Sequence, residues 1–276
     1  MFDTHVHLNF SRFKKNLEEV ISRAHASGVH EMVVPGTDLK TSQKAVEIAA
    51  RFEGIYAAVG LHPHHVYEQK DSTAADLPWG ELEQLLPHPK VVAIGEVGLD
   101  RHPYEETKYE NYTVDESFID LQKDNLRRQI GWAIRYKKSL ILHNREAKQD
   151  LFPLLEEVWD ESLSGRSVFH CCEADTELLH FAKKHNLFIG VDGDISYGEA
   201  KKSFIKEVPL EMLVLETDAP FLLPEPLRSQ RAYPNEPKNI PLIAQIVAEV
   251  KGLPVKEIEK TTTENAHRLF GLSPKN

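Results

Sequence analysis

The sequence has little cysteine and lacks long apolar runs. Its two cysteines, Cys171 and Cys172, are adjacent, so they cannot build a disulfide framework, and a reducing compartment is expected. No uninterrupted apolar stretch approaches the roughly 20 residues that a membrane span requires. The segment Met1–Phe10 leaves no room for a secretory leader. We therefore expect a cytoplasmic protein with no membrane contact.

The sequence also lacks an excess of positive charge. It contains 33 Lys and Arg against 43 Asp and Glu, which gives a formal net charge of −10 at pH 7. Affinity for nucleic acid comes largely from basic side chains that neutralise phosphates, so any nucleic-acid contact should be local. Divalent cations bound in a cleft would supply part of the missing positive charge.

Short apolar runs rich in β-branched residues alternate with segments of helical periodicity. This alternation predicts a parallel sheet, and eight repeats predict barrel closure. An open doubly wound sheet is the alternative, but no glycine-rich phosphate fingerprint follows the first predicted strand. The prediction is an α/β fold, a single (β/α)8 TIM barrel that occupies residues 1–276 as one domain. The predicted strands are Phe2–Val6, Glu31–Pro35, Ile55–Val59, Val91–Gly95, Ser139–Leu142, Ser167–Phe169, Leu187–Val191 and Met212–Leu215.

Two segments depart from this simple alternation. Arg101–Glu116 is polar and bears tyrosines, and it follows the fourth predicted strand. Leu222–Lys238 is rich in proline and follows the eighth. In barrels, enlarged loops after strands line the active-site face, so both segments are expected to face the site.

Residues able to bind metal stand at the ends of the predicted strands. In the first strand two histidines at positions i and i+2 project from the same face of an extended chain. Four other strands each lead into a histidine or a carboxylate. Because the carboxyl ends of barrel strands converge on one cavity, this set indicates two divalent ions bridged by Glu96. The predicted ligands are His5, His7, Glu96, His143, His170 and Asp218.

Three further residues are candidates for contact with substrate. His62 follows the third strand; it could bind metal, but we favour a hydrogen bond to a substrate oxygen. His64 is assigned the same role. Arg145 lies just beyond His143, where a guanidinium suits bidentate binding of phosphate or carboxylate. The alternative for Arg145 is an ion pair with Glu146 or another nearby acid.

Eight stretches that span nearly the whole chain match a known family in order. They are FDTHVHL (2–8), VGLHPHH (59–65), AIGEVGLD (93–100), LHNREA (142–147), FHCC (169–172), LETDAPFLLP (215–224), PNEP (234–237) and TTENAHRLFG (262–271). The sequence thereby resembles the TatD family of metal-dependent deoxyribonucleases, within the amidohydrolase-like barrels. The resemblance implies the same six metal ligands as the strand ends do.

The sequence departs from the family pattern at three places. Cys172-Glu173-Ala174 stand where the family usually has Phe-Thr-Gly, Pro234 replaces an arginine, and the Arg101–Glu116 loop is longer than usual. We expect the loop that carries Glu173 to contact substrate. The preferred substrate is therefore expected to differ while catalysis is retained.

The leading hypothesis is hydrolysis of DNA phosphodiester bonds by a 3'-5' exonuclease that acts on single-stranded or frayed ends. Asp218 would orient a metal-held water and take its proton, Glu96 would bridge the ions, and Arg145 and His62 would stabilise charge on the phosphate. The ligands suit zinc, manganese or cobalt, and magnesium less well. The alternatives are acyl hydrolysis, of an amide or a D-aminoacyl-tRNA, and a catalytically silent barrel within a larger system.

Overall fold

Eight parallel strands form one sheet in this computed structural model, which describes residues 1–70 and 77–273. Each strand pairs with its neighbours in chain order, as in a (β/α)8 barrel. The predicted α/β barrel is therefore confirmed. The strands are β1 (Phe2–Asp3), β2 (Glu31–Pro35), β3 (Ile55–Val59), β4 (Val91–Asp100), β5 (Ser139–Arg145), β6 (Ser167–Phe169), β7 (Phe188–Val191) and β8 (Leu213–Leu215).

The segments that follow β1 and β8 close the sheet. Asp218 N donates to His5 O at 2.9 Å, and His7 N donates to Ala219 O at 2.8 Å. β1 itself ends at Asp3, earlier than the sequence predicts. The seam nevertheless brings predicted ligands from the first and eighth strands side by side.

β4 and β5 are longer than predicted. The ladder between them shifts register and then continues, with Asp100 opposite Arg145. Glu96 and His143 therefore lie within strands, and the prediction that both strands stop before these residues is wrong. A register shift of this kind changes the direction in which side chains point. It lies next to Glu96, one of the predicted ligands.

Helices follow the strands and pack their apolar faces on the barrel. None of the helices in the described chain combines the length and the apolar character of a membrane span. In the described ranges the helices are α1 (Leu17–Ala26), α2 (Leu39–Arg51), α3 (Trp79–Leu85), α4 (Glu116–Arg135), α5 (Lys148–Val158), α6 (Thr176–His185), α7 (Glu199–Glu207), α8 (Ile240–Lys251) and α9 (Val255–Phe270).

The barrel interior is apolar, and polar side chains lie at the carboxyl-terminal ends of its strands, which we call the mouth. Ile141, Val168 and Val214 each lie two residues before a polar side chain, so they point to the same face as that side chain, and all three are buried in one apolar cluster. Leu269 and Phe270 of α9 join this cluster and close the amino-terminal end. Polar groups able to act on a ligand are therefore concentrated at the carboxyl-terminal end.

The polar insertion Arg101–Glu116 folds over the segment that follows β3. Tyr109 and Tyr112 pack against Tyr67 with ring centroids 5.2 and 4.8 Å apart. Ring pairs at these distances stabilise beyond the area that they bury. The insertion therefore forms a packed wall of the mouth.

Gly36, between β2 and α2, leaves no room for an added methyl group. An ideal Cβ there would lie 2.2 Å from Ser42 Oγ and 2.4 Å from Ser42 Cα. Because backbone as well as side chain would have to move, we expect Gly36→Ala to lower the free energy of unfolding by about 3 kcal/mol. Urea unfolding followed by circular dichroism measures the change.

Gly131 provides the matched control. It lies in α4, and an added Cβ would meet nothing within 4 Å. Gly131→Ala should raise the free energy of unfolding by up to about 1 kcal/mol, because alanine is the better helix former. Equal stability of Gly36→Ala and the unsubstituted protein would contradict the steric argument.

Candidate metal centre

His5 and His7, beyond the end of β1, face each other across a space that two carboxylates also reach. His5 Nε2 lies 3.3 Å from His7 Nε2. Glu96 Oε2 lies 3.5 Å from the former nitrogen and 3.7 Å from the latter, and Asp218 Oδ1 lies 3.8 and 3.2 Å from them. Donor atoms that share a tetrahedral zinc ion lie about 3.4 Å apart. These four side chains therefore have the spacing of a cation site.

The other oxygen of Glu96 faces a second group of imidazoles. Glu96 Oε1 lies 2.9 Å from His143 Nδ1 and 3.6 Å from His170 Nε2. His62 Nε2 lies 3.3 Å from the same oxygen, and the His170 ring stacks on His5 with centroids 3.5 Å apart. The structure thus brings together all six residues that the sequence predicts as ligands, with His62 beside them.

The carboxylates make this site favourable for positive charge. Burial by itself lowers the pKa of an imidazole, yet hydrogen bonds to Asp100 and Glu96 raise the pKa of His143 to about 9. The charge of Glu216 likewise outweighs burial and raises the pKa of His170 to about 10. An environment that raises the pKa of these two imidazoles also favours a divalent cation. The residues present therefore fit a metal centre in both spacing and charge.

Two buried carboxylates outside the predicted ligand set form hydrogen bonds at the carboxyl-terminal end of the barrel. Asp3 accepts hydrogen bonds from Thr217 Oγ1 at 2.6 Å and from Thr217 N at 3.0 Å. Glu216 Oε1 lies 3.0 Å from His170 Nδ1 and accepts a bond from Cys171 N at 2.6 Å. Asp3 and Glu216 each stand two residues before a predicted ligand, Asp3 as the last residue of β1 and Glu216 as the first residue after β8. That spacing is the signal that identifies them.

Asp100 connects the centre to Arg145 through hydrogen bonds. Asp100 Oδ2 lies 3.1 Å from His143 Nε2 and accepts a bond from the Tyr104 hydroxyl at 2.7 Å. Arg145 donates to the same hydroxyl oxygen at 3.0 Å, and its guanidinium lies 5.0 Å from the centre of the Tyr104 ring. Among the described residues Arg145 forms no salt bridge, so the alternative pairing with Glu146 is not formed.

His64 and Glu173 lie on loops at the same end but contact protein groups rather than Glu96. His64 Nε2 lies 2.9 Å from Thr107 Oγ1. Glu173 accepts hydrogen bonds from Asn144 Nδ2 at 2.8 Å and from Glu146 N at 3.0 Å. The structure therefore gives both residues a role in holding loops, and their contact with substrate stays a prediction.

Known proteins resemble this chain along its whole length. The metal-dependent hydrolase YabD of Bacillus subtilis is 39% identical over 275 residues, which cover 99% of this chain and 100% of YabD. The 3'-5' ssDNA/RNA exonuclease TatD of Escherichia coli K12 is 31% identical over 277 residues, which cover 99% of this chain and 100% of that protein.

Solved structures show the same barrel. The crystal structure of YjjV, a TatD homologue from Escherichia coli K12, has a TM-score of 0.83 at 27% identity and covers 99% of this chain and 98% of its own. A TatD family hydrolase from Entamoeba histolytica shares the fold with a TM-score of 0.82 at 23% identity, again over 99% and 98% of the two chains. Residues 2–271 match the family described as TatD related DNase. The chain therefore belongs to the TatD family of related DNases.

Proposed function

We propose that this protein is a metal-dependent exonuclease that removes nucleotides from the 3' end of single-stranded DNA or RNA. The full-length similarity to the exonuclease TatD of Escherichia coli supports this activity. The observation that carries it is the position of Arg145, an anion-binding group with no carboxylate partner among the described residues. It is linked through Tyr104 to Asp100 and the metal centre. Phosphodiester hydrolysis needs this combination, a cation site beside a phosphate-binding group.

The proposed centre would hold two divalent ions, with Glu96 as a residue common to both. The His5 and His7 side would hold the first ion, and the His143 and His170 side would hold the second. When bound, such ions lower the pKa of an attacking water and neutralise charge that develops on the phosphate. Nitrogen donors mixed with carboxylates suit zinc, manganese or cobalt better than magnesium.

Side chains at the mouth orient the attacking water, accept its proton and bind the phosphate. Asp218, whose side chain is 14% exposed, orients the attacking water and accepts its proton. Arg145 and His62 bind the nonbridging oxygens of the scissile phosphate and stabilise their charge. A planar guanidinium suits this task because it can donate two parallel hydrogen bonds.

Exposed aromatic rings at the same end support a single-stranded substrate. Phe221, Tyr233 and Tyr197 are 50%, 52% and 37% exposed, and they lie in the segments that follow β7 and β8. Phe221 packs edge-on against His7 with centroids 6.2 Å apart. Unpaired bases stack on such rings, whatever the base. A strand end can therefore be held beside the metal centre without sequence recognition.

Product analysis tests the proposed function. Single-stranded DNA, RNA of the same sequence and duplex DNA, each labelled at the 5' end, are incubated with the protein and Mn²⁺, Zn²⁺, Co²⁺ or Mg²⁺. We expect the single strands to shorten from the 3' end. Hydrolysis of a D-aminoacyl-tRNA or an amide without phosphodiester cleavage would replace the proposal by acyl chemistry, and no turnover of any substrate would favour a silent barrel.

Glu96→Gln tests the shared ligand. We expect the variant to lose bound metal and nuclease activity and to stay folded, because a neutral amide cannot hold two cations as a carboxylate does. Elemental analysis of the purified protein measures the metal content, expected to fall from about two ions per chain. Glu236→Gln, at another buried carboxylate, should keep its metal. Full metal content and turnover in Glu96→Gln would refute the assignment.

Arg145→Lys tests the phosphate contact. Ammonium cannot reproduce a planar bidentate contact, so we expect kcat/KM on an oligonucleotide to fall by about 100-fold with the metal content unchanged. Arg135→Lys, on the exposed surface of α4, is the matched control and should have no effect. Equal kcat/KM for the two variants would show that Arg145 does not bind phosphate.

Phe221→Ala tests base stacking. We expect binding of a single-stranded oligonucleotide to weaken by about 1 to 3 kcal/mol, the contribution of one stacked base. Hydrolysis of a small phosphodiester that carries no base should change little. Val255→Ala removes an exposed side chain from the start of α9, at the opposite end of the barrel, and serves as the control. A similar loss in both variants would argue against stacking on Phe221.

A further inference from the structure

A groove of about 1030 Å³ lies between the amino-terminal ends of α1 and α2. We call it the α1–α2 groove; Phe10, Lys14, Lys15, Asp38 and Lys40 are among the residues that line it. It lies beside the metal centre, because Phe10 in its lining stacks on the His7 ring with centroids 4.2 Å apart and planes 15° apart. Phe10 therefore borders both the groove and the centre.

The carboxylates that line the groove are already engaged. Each of the four has a partner, either a basic side chain or the hydrogen-bond donors of a helix cap, and Glu19 shares its partner Arg23 with Glu236. The pairs are Glu18 with Arg51, Glu19 with Arg23, Glu47 with Lys44, and Asp38 with the N and Oγ1 of Thr41. Glu18 and Glu47 are thus each paired with a basic side chain of the groove, and the lining as a whole carries five cationic and four carboxylate side chains.

Three lysines that line the same groove form no salt bridge with a described carboxylate. They are Lys14, Lys15 and Lys40. All three are exposed, and none forms a salt bridge within residues 1–70 and 77–273. In a chain with a net charge of −10, three uncompensated ammonium groups on one groove create a local positive field. A flexible polyanion is the ligand that such a field attracts.

We propose that the α1–α2 groove binds the sugar-phosphate backbone of the single strand on the 5' side of the nucleotide being removed. Lys14, Lys15 and Lys40 contact successive phosphates, and a base adjacent to the centre packs near Phe10. Contacts of this kind position a strand without reading its sequence. The inference rests on the proposed nuclease function, which it extends by giving the undigested strand a path.

The test measures binding separately from hydrolysis. The metal-loaded protein is titrated into fluorescein-labelled dT12 with nuclease-resistant phosphorothioate linkages, and anisotropy gives Kd between low and physiological salt. For the variant with Lys14→Gln, Lys15→Gln and Lys40→Gln we expect Kd to rise by about tenfold or more. The slope of log K against log salt should fall by about 2, since each phosphate contact with a single strand contributes about 0.7.

A control variant of the same charge change separates the groove from net charge. Lys183→Gln, Lys206→Gln and Lys256→Gln remove three exposed lysines at the opposite end of the barrel, near the ends of α6 and α7 and the start of α9. This variant should bind dT12 as the unsubstituted protein does. Thermal melting of both variants checks that the exposed substitutions leave the fold intact.

Each remaining outcome decides one of the two proposals. If the protein shortens single strands but both triple variants bind dT12 equally, the groove inference is overturned and the nuclease function stands. If the protein cleaves no strand but binds dT12 through the three lysines, the nuclease proposal fails and the groove stands as a nucleic-acid site. If polyglutamate of matched charge displaces dT12 at equal concentration, the groove binds polyanions generally, and the assignment to nucleic acid is overturned.

Discussion

Burial opposes ionisation of Glu96, yet the charge of His62 and hydrogen bonds from His143 and His5 hold its pKa well below the usual range. A buried carboxylate of this kind is stable only if several positive or hydrogen-bonding groups surround it. In this chain those groups come from β1, β3, β5 and β6, or from the segments that follow them. A barrel can supply them because the carboxyl ends of all its strands surround one axis. The centre therefore depends on the fold, which places these groups around one carboxylate.

Two further carboxylates, Asp100 and Glu216, contact the imidazoles that surround Glu96. His143 lies between Glu96 and Asp100, and His170 lies between Glu96 and Glu216. A second carboxylate behind an imidazole fixes which ring nitrogen carries the proton and which faces the ion. Tyr104, in the long insertion, donates a hydrogen bond to Asp100. A loop that differs from the family pattern is therefore connected to the centre.

The alternation of strands with helices predicted the barrel, and the meeting of the carboxyl ends of its strands predicted that the candidate ligands converge. Neither predicted how far a strand continues. β4 passes a register shift and reaches Asp100, and that shift depends on pairing with β5, which is distant in sequence. Arg145 shows the same limit: its position beyond His143 suited either phosphate or Glu146, and only the assembled loops show that it hydrogen-bonds Tyr104 and forms no ion pair with Glu146 among the described residues. Contacts between loops form only in the assembled barrel, so no short stretch of the sequence predicts them.

An acidic protein that acts on a polyanion requires its positive charge to be localised. At physiological ionic strength charges are screened beyond about 8 Å, so a strand that has reached the mouth responds to the groups next to it rather than to the net charge of −10. A duplex offers a rigid surface that meets the acidic exterior over a wide area. A single strand can bend along the proposed groove and present the phosphodiester of its 3'-terminal nucleotide to the centre. Under the proposed function, this charge distribution favours flexible ends over duplex, without any contact that reads a base.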